Sequence, residues 1–125
     1  DVNYLLTAWD NANNPSEQEI QLISTKNENL QLYNAYNFPN PFRNNTKFTF
    51  ELSLEAEVSI NVYTLGGRKI KNFKSKSYQP GFHSIAWDGR NEFGELLSNG
   101  VYLYKIMAKN NNSKTHKINK IAIYR

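Results

Sequence analysis

The sequence predicts an all-β protein, an antiparallel β-sandwich of about seven strands. Apolar and polar residues alternate with a period of two along most of the chain. No window of about a dozen residues carries apolar positions at helical spacing without an interrupting Gly, Pro or Asn. Clusters of turn-forming residues separate the alternating segments. A chain of 125 residues has room for one sandwich, which needs about 100 residues, and for a piece of another domain.

The two clearest strands lie in the middle of the sequence. Residues 47–52 place Phe48, Phe50 and Leu52 on one face and polar residues on the other. Residues 57–62 show the same alternation. Because successive side chains of a strand point to opposite faces, we expect one face of each strand in the core.

The next strands are bounded by glycine turns. Gly66 and Gly67 predict a tight hairpin, since glycine accepts a positive φ without steric cost. Residues 68–74 are dense in lysine, which is typical of an edge strand. Gly81 follows Pro80 in another predicted turn. Alternation resumes in the following segment, with one face formed by His83, Ile85 and Trp87.

The last third of the chain predicts two more strands. Residues 88–100 read as turns, and residues 101–108 follow as a strand. If Lys105 faces water, the inward residues of that strand are Tyr102, Tyr104, Ile106 and Ala108. We expect Trp87 and Tyr102 to bridge the two sheets.

A polar turn at residues 110–113 leads into the final segment, residues 115–125. In a regular strand Ile118 would point to one face of the sheet, and Ile121 and Ile123 to the other. If all three are to face the core, a bulge is needed near residues 119–120.

The domain organisation is predicted from a shift in composition. Residues 1–25 read as the terminal hairpin of a preceding β domain, residues 26–35 as a linker, and residues 36–125 as the sandwich. The sequence starts in the middle of a strand pattern, so we expect it to be a fragment of a larger protein.

Composition excludes several classes of function. The chain has no cysteine and no run of roughly 20 apolar residues, so it offers no thiol chemistry and no transmembrane helix. Its net charge is +4, but residues 1–60 carry eight acidic and three basic side chains, whereas residues 61–125 carry three acidic and twelve basic ones. Such basic clusters can attract phosphate, lipid head groups or an acidic partner. A solvated strand face is the simpler interpretation.

We expect no enzymatic activity in this chain and no cofactor. The only histidines are His83 and His116, and no serine lies in a G-x-S-x-G motif. His83 is predicted to be a half-buried structural residue, and His116 an exposed one.

Two oxygen-rich turns are alternatives for calcium binding. The first contains Asp10, Asn11 and Asn13 and the second Asp88, Glu92 and Glu95. Both are better explained as turns, because Asp and Asn side chains bond to their own backbone there.

The aromatic residues bear on two further kinds of ligand. Nucleic-acid binding is not expected, because the aromatic residues alternate into the core instead of forming a platform. A carbohydrate-binding module stays open as an alternative, using aromatic residues outside the regular strands, although packing beneath loops is favoured for them. These residues are Tyr33, Tyr36, Phe38 and Tyr78.

Five motifs together resemble the C-terminal sorting domain of proteins exported by the type IX (Por) secretion system. They are Asn-Phe-Pro-Asn-Pro-Phe at 37–42, the strand at 46–50, Val-Tyr-Thr-Leu-Gly-Gly at 62–67, residues 81–91 around Trp-Asp-Gly-Arg, and Gly-Val-Tyr-Leu-Tyr at 100–104. The related Ig-like domain of the flagellar hook-capping protein FlgD shares several of them. The residues that carry the resemblance are Pro39, Asn40, Pro41, Gly66, Gly67, Gly81, Trp87, Asp88, Gly89, Gly100 and Tyr102.

The resemblance implies an Ig-like sandwich that is recognised at the C-terminus of a secreted protein. By analogy, the sorting signal would be the basic terminal strand, with Lys117, Lys120, Ile121, Ile123 and Arg125. The implied partner is the outer-membrane translocon or a barrel protein like PorV. The implied location is the outer-membrane surface or the medium of a double-membraned bacterium, without a membrane-spanning segment.

Residues 8–14 are similar to the segment that precedes this domain in the sortase PorU, a gingipain-type cysteine peptidase. That similarity implies a PorU-like parent whose catalytic residues lie outside this chain. An inert Ig-like spacer is the remaining alternative.

Overall fold

In the computed structural model, which describes residues 29–125, all regular structure is β-strand. The seven strands are β1 (Leu32–Phe38), β2 (Thr46–Leu52), β3 (Ala56–Tyr63), β4 (Lys69–Tyr78), β5 (Gly81–Trp87), β6 (Gly100–Lys109) and β7 (Lys114–Ile123). They form two antiparallel sheets with the strand orders β1-β2-β5 and β4-β3-β6-β7. The predicted all-β, Ig-like sandwich of seven strands is confirmed. Within the described range, no helix is long and apolar enough to span a membrane.

The alternation of apolar residues determines which face of each strand enters the core. Phe48 and Phe50 of β2 are fully buried, as predicted. The inward residues of β3 are equally inaccessible. In β6 Lys105 lies on the outer parity, and the four residues predicted to point inward are buried, namely Tyr102, Tyr104, Ile106 and Ala108. Burial of these side chains between two sheets is the main stabilising contribution to the fold.

Aromatic contacts between the sheets centre on Phe48. Its ring centroid lies 4.8 Å from that of Tyr104 on β6 and 5.6 Å from that of Phe73 on β4. The prediction had assigned this bridging role to Trp87 and Tyr102. Trp87 instead stacks within its own sheet on Phe48, and the Tyr102 hydroxyl donates a hydrogen bond to the Ser98 carbonyl at 2.7 Å.

The predicted hairpin and edge strand are both present. Gly67 has a φ of 95° and its N–H donates to the Thr64 carbonyl at 2.9 Å, which closes the β3–β4 turn. The lysine-rich β4 is an edge strand. Part of its outer edge is covered, because Glu92 donates its N–H to the Ile70 carbonyl and accepts the Asn72 N–H through its carboxylate.

The C-terminal strand differs from its prediction. β7 pairs with β6 without a register shift, from Gly100↔Ile123 to Lys109↔Lys114, so the expected bulge at residues 119–120 is wrong. Ile118 is 54% exposed because it lies on the outward face of a regular strand. The prediction failed because it assumed that Ile118 is buried.

The start of the sandwich also differs from its prediction. β1 begins at Leu32, inside the segment predicted as a linker, and Leu32 itself is buried. A register shift in β1 between Tyr33 and Tyr36 breaks the period of two, which hid the strand in the sequence. The predicted hairpin at residues 1–25 lies outside the described residues.

Three of the four aromatic residues predicted to pack beneath loops lie instead on β1. Tyr36 is 60% and Phe38 is 77% exposed, and Tyr33 is also exposed. Their partners on β2 share the outer face of the three-stranded sheet. Tyr78 ends β4, with its ring against Phe50.

Candidate docking surface at the C-terminal strand

The five residues predicted to form the sorting signal have different environments. Lys117 and Lys120 are exposed. Ile121 and Ile123 are buried and belong to the hydrophobic core. Only part of the predicted signal is therefore accessible on the folded domain.

Asn40 binds the outer edge of β7 through its side chain. Its Nδ2 donates to the Lys120 carbonyl at 3.1 Å, and its Oδ1 accepts the Ala122 N–H at 3.0 Å. A carbonyl and an N–H two residues apart on a strand point to the same side. The carboxamide thus takes the place of a peptide group in a neighbouring strand.

The main chain of Phe42 continues this pairing. Its N–H donates to the Ala122 carbonyl at 3.0 Å, and its carbonyl accepts the Tyr124 N–H at 2.9 Å. Phe42 forms a parallel bridge with Ile123. We call residues 39–42 the clamp, because they hold the C-terminal half of β7 on the side opposite β6.

A buried polar network fixes the clamp. The Thr46 hydroxyl donates to the Pro39 carbonyl at 2.8 Å, and Asn37 Nδ2 donates to the Thr46 hydroxyl at 3.2 Å. The Oδ1 atom of Asn37 accepts a hydrogen bond from Asn40 at 3.2 Å. Asn37 and Thr46 are the buried polar residues of the described chain. Buried polar groups need such partners, so the network orients Asn40 toward β7. Pro39 and Pro41 lack an N–H and leave no donor unpaired here.

Three motif residues meet beneath the clamp. The Phe42 ring is buried, with its centroid 5.6 Å from that of Trp87. Gly89 has a φ of 75°, and a Cβ there would lie 3.2 Å from the Phe42 ring and 3.1 Å from Arg125 Nη2. Glycine is required at this position by both its backbone conformation and the close approach of its neighbours.

The last residue is also held in place. Arg125 donates its N–H to Asn99 Oδ1 at 3.0 Å and accepts from Asn99 Nδ2 at 3.2 Å. Its guanidinium donates to the Leu97 carbonyl at 2.5 Å. Arg125, predicted to belong to the sorting signal, is therefore exposed and also bound to the loop that precedes β6.

The turn after Trp87 uses its carboxylates internally. Asp88 accepts the Arg90 N–H at 3.1 Å, and Glu95 accepts a hydrogen bond from the Asn91 side chain at 2.9 Å. Among residues 29–125, no group of three acidic or histidine side chains is arranged to hold a metal ion. The other calcium alternative, at Asp10 and Asn13, lies outside the described residues.

A shallow groove of about 280 Å³ separates β1 from β7. Asn119 crosses it, donating from Nδ2 to the Ala35 carbonyl at 2.8 Å and to the Tyr104 hydroxyl at 3.4 Å. Burial raises the pKa of Tyr104, and the hydrogen bond from Asn119 lowers it by a smaller amount. The groove is therefore lined by side chains that already pair with one another.

Sequence reasoning missed four polar residues of this region: Asn37, Thr46, Asn99 and Asn119. Asn99 and Asn119 are hydrogen-bonded to partners that are distant in the sequence. Asn37 and Thr46 are bonded to each other and belong to the network that holds Asn40 against β7. No local pattern of residues encodes such contacts, although Asn37 and Asn40 belong to the motif that carried the resemblance.

The two sheets, the parallel bridge at the edge and the paired C-terminal strand define an immunoglobulin-like β-sandwich. A family model described as the FlgD Ig-like domain matches residues 38–112. The chain belongs to this family. No curated protein matches the sequence.

Solved structures show the same fold in longer proteins. Dimeric latent PorU from Porphyromonas gingivalis has a TM-score of 0.68 at 19% identity, over 82% of this chain and 10% of the PorU chain. FlgD from P. aeruginosa has a TM-score of 0.54 at 19% identity, over 62% of this chain and 61% of that chain. The present chain therefore spans about a tenth of the length of the PorU chain.

PorZ, described as a surface component of the type IX secretion system of Porphyromonas gingivalis, is also similar. Its TM-score is 0.48 at 22% identity, over 74% of this chain and 12% of that chain.

Asn40→Ala removes the side chain that pairs with β7. We expect a loss of about 1 kcal/mol in the free energy of unfolding, the usual net contribution of exposed hydrogen bonds. Amide exchange at Ala122 should accelerate, because its N–H loses its partner. Urea unfolding and amide hydrogen exchange measure the two effects. Asn112→Ala, in the exposed turn before β7, is the control; equal effects of the two substitutions would contradict the proposed pairing.

Tyr104→Phe tests the effect of burial on alkaline stability. Burial raises the pKa of Tyr104 above 10.0, so the unfolded chain releases this proton more readily. The stabilising contribution is complete below pH of about 10 and is lost as the pH rises toward the pKa of the folded state. We therefore expect a smaller fall in the free energy of unfolding between pH of about 9 and 11 in Tyr104→Phe. Urea unfolding across this range measures it.

Tyr124→Phe is the matched control, because Tyr124 is 74% exposed. It should lose stability with rising pH as the unmodified chain does. A Tyr104→Phe curve parallel to that of the control would show that burial of this hydroxyl does not govern the alkaline loss.

Proposed function

We propose that this domain is a non-catalytic recognition module, which directs or anchors a larger secreted protein at the outer membrane through the type IX secretion system. The observation that carries the proposal is the construction of β7. Its C-terminal half is held by the clamp, and its lysines, Lys117 and Lys120, project freely. A strand that is hydrogen-bonded on both sides at one end and charged on its surface suits recognition by another protein.

The side chains of the described residues support a role without catalysis. His83 is bound through Nε2 to the Gln79 carbonyl at 2.6 Å, and its ring packs against Phe50 and Tyr78. These contacts fit the structural role that was predicted for this histidine. His116 is exposed on β7. Ser84 follows His83 in the sequence, but adjacent side chains of a strand point to opposite faces, so the two lie on opposite faces of β5. Such surroundings lack the nucleophile and base that acyl transfer requires.

The proposed partner is the outer-membrane translocon or a barrel protein like PorV. Support comes from the motifs shared with type IX sorting domains and from the fold shared with PorU. We propose a PorU-like sortase as the parent protein, located at the outer-membrane surface or secreted. In that case the peptidase chemistry belongs to the parent chain, and this domain supplies its attachment.

The export role is tested with a reporter fused ahead of residues 1–125 in a bacterium that has a type IX system. Lys117→Gln combined with Lys120→Gln should reduce surface export by about tenfold, because the two substitutions remove both exposed cations of the predicted signal on β7. Reporter activity in the medium and on cells, relative to the periplasm, measures export. Deleting residues 117–125 would be a poor test, since Ile121 and Ile123 belong to the core.

The matched control combines Lys74→Gln with Lys76→Gln on the opposite edge of the same sheet. The change in net charge is identical, and both lysines are exposed. Equal export by the two variants would reject the recognition role of β7. Accumulation in the periplasm of the reporter that carries the unmodified chain, at the level of an untagged reporter, would favour an inert spacer.

A second candidate function is carbohydrate binding on the outer face of the three-stranded sheet. Tyr36 and Phe38 of β1 and Phe82 of β5 are all exposed there, at 60%, 77% and 63%. Aromatic rings on a flat sheet can stack on sugar rings. Phe38→Ala and Tyr36→Ala should then each abolish retention on an insoluble polysaccharide in a pull-down assay. Phe93→Ala, exposed in a loop away from the sheet, is the control; no retention of the unmodified chain would reject this function.

A further inference from the structure

The clamp covers only part of the outer edge of β7. Lys120, Ala122 and Tyr124 are paired by residues 40 and 42. Because backbone groups alternate along a strand, the N–H and C=O of His116 and Ile118 point the same way as those of Ala122. Within residues 29–125 these edge groups of His116 and Ile118 have no hydrogen-bond partner. The N-terminal half of β7 is thus an unpaired strand edge.

The surroundings of this edge are strongly basic. Lys114 and Lys117 belong to it, and Lys120 follows it. On the neighbouring strand, Lys105 is opposite Ile118 and Lys109 is opposite Lys114. The single ion pair among residues 29–125 joins Arg90 and Asp88 at 3.6 Å, so none of these five lysines forms an ion pair. Glu57 of β3 is the cross-strand neighbour of Lys109, and the other four lysines have no acidic cross-strand neighbour.

We propose that residues 114–118 accept an extended acidic segment of a partner protein as a fifth strand of the four-stranded sheet, next to β7. The inference rests on the proposed recognition role of β7 and names the chemistry of its partner. The added strand would satisfy the edge groups of His116 and Ile118 by main-chain hydrogen bonds. Its carboxylates would lie beside the lysines that share the outer face of β6 and β7 with Ile118, namely Lys105, Lys109, Lys114 and Lys120. The clamp limits the pairing to about five residues, a common strand length.

Two features favour a protein over an anionic lipid surface. A lipid head group can neutralise lysines but cannot form a main-chain ladder with the edge. Two of the unpaired charges, Lys114 and Lys117, also lie on the free edge itself, and Ile118, 54% exposed at its end, offers apolar contact to a neighbouring strand. A surface that binds a lipid by charge alone would not require an unpaired strand edge.

The test uses the full chain of residues 1–125 and a short fluorescein-labelled peptide in which Glu alternates with Val and Thr. Fluorescence anisotropy measures binding. We expect Ile118→Pro to weaken it by about tenfold, because proline removes the N–H that points to the added strand. Proline is tolerated on an edge when that N–H faces solvent, so the pairing of β7 with β6 is retained. Ile118→Thr, which keeps the amide, is the matched control.

A second reagent tests the same hydrogen bonds from the ligand side. N-methylation of alternate peptide amides should weaken binding to the unmodified chain by about tenfold as well. This measurement remains decisive if Ile118→Pro fails to fold, which thermal unfolding would reveal. Replacing every Glu of the peptide by Lys should abolish binding.

Several results would overturn the inference. Binding that is unchanged by both Ile118→Pro and N-methylation would show that charge acts without strand pairing. Absence of peptide binding, with equal binding of unmodified and Ile118→Pro chains to phosphatidylserine vesicles, would assign the basic face to a lipid surface.

Failure of the peptide assay, while the Lys117 and Lys120 substitutions still reduce export, would reject the strand partner and leave the proposed function intact. Export that is unaffected by those substitutions, together with normal peptide binding, would reject the function alone.

Discussion

The arrangement of the C-terminal half of the domain depends on the hydrogen bonds between the clamp and β7. β7 is an edge strand that carries two core isoleucines, and its C-terminal half is hydrogen-bonded on both sides. Asn40 and Phe42 provide the outer hydrogen bonds from a segment about eighty residues earlier in the chain. Because Phe42 also packs against Trp87, the same segment ties the edge of one sheet to the core of the sandwich. The Asn-Pro-Phe motif therefore has a mechanical role in the fold.

The two edges of the four-stranded sheet are protected by different means. β4 relies on its lysines and on Glu92, which bonds to the backbone at Ile70 and Asn72. β7 relies on the clamp, which ends at Lys120. Exposed strand edges tend to pair with other chains, and proteins usually blunt them with charge or cover. On β7 the lysines can blunt pairing with a like-charged strand while attracting an acidic one, so the same charges set both solubility and selectivity.

How much could be predicted from the sequence depends on the range of the interaction. The strands with regular alternation, such as β2 and β6, were predicted together with their inward faces. Alternation of apolar and polar residues is visible within a few consecutive residues of the sequence. β1 was missed at Leu32, since a register shift interrupts its pattern. The contacts of Asn40 could not be predicted, because their partners are fixed only once the strands have assembled. Ile118 was misread for a related reason: parity alone cannot separate a bulge from an apolar residue exposed on a regular strand.

The environment of β7 also constrains how the domain can be recognised. Inward and outward residues alternate, so buried Ile121 lies directly beside exposed Lys120. The Lys120 carbonyl is held by Asn40, which fixes the position from which its side chain projects. A partner that read residues 117–125 as an unfolded tail would have to remove two isoleucines from the core, at a cost of roughly 2–3 kcal/mol each. Recognition of the folded strand needs no such step, and it makes the clamp part of the binding surface through the geometry it imposes on β7.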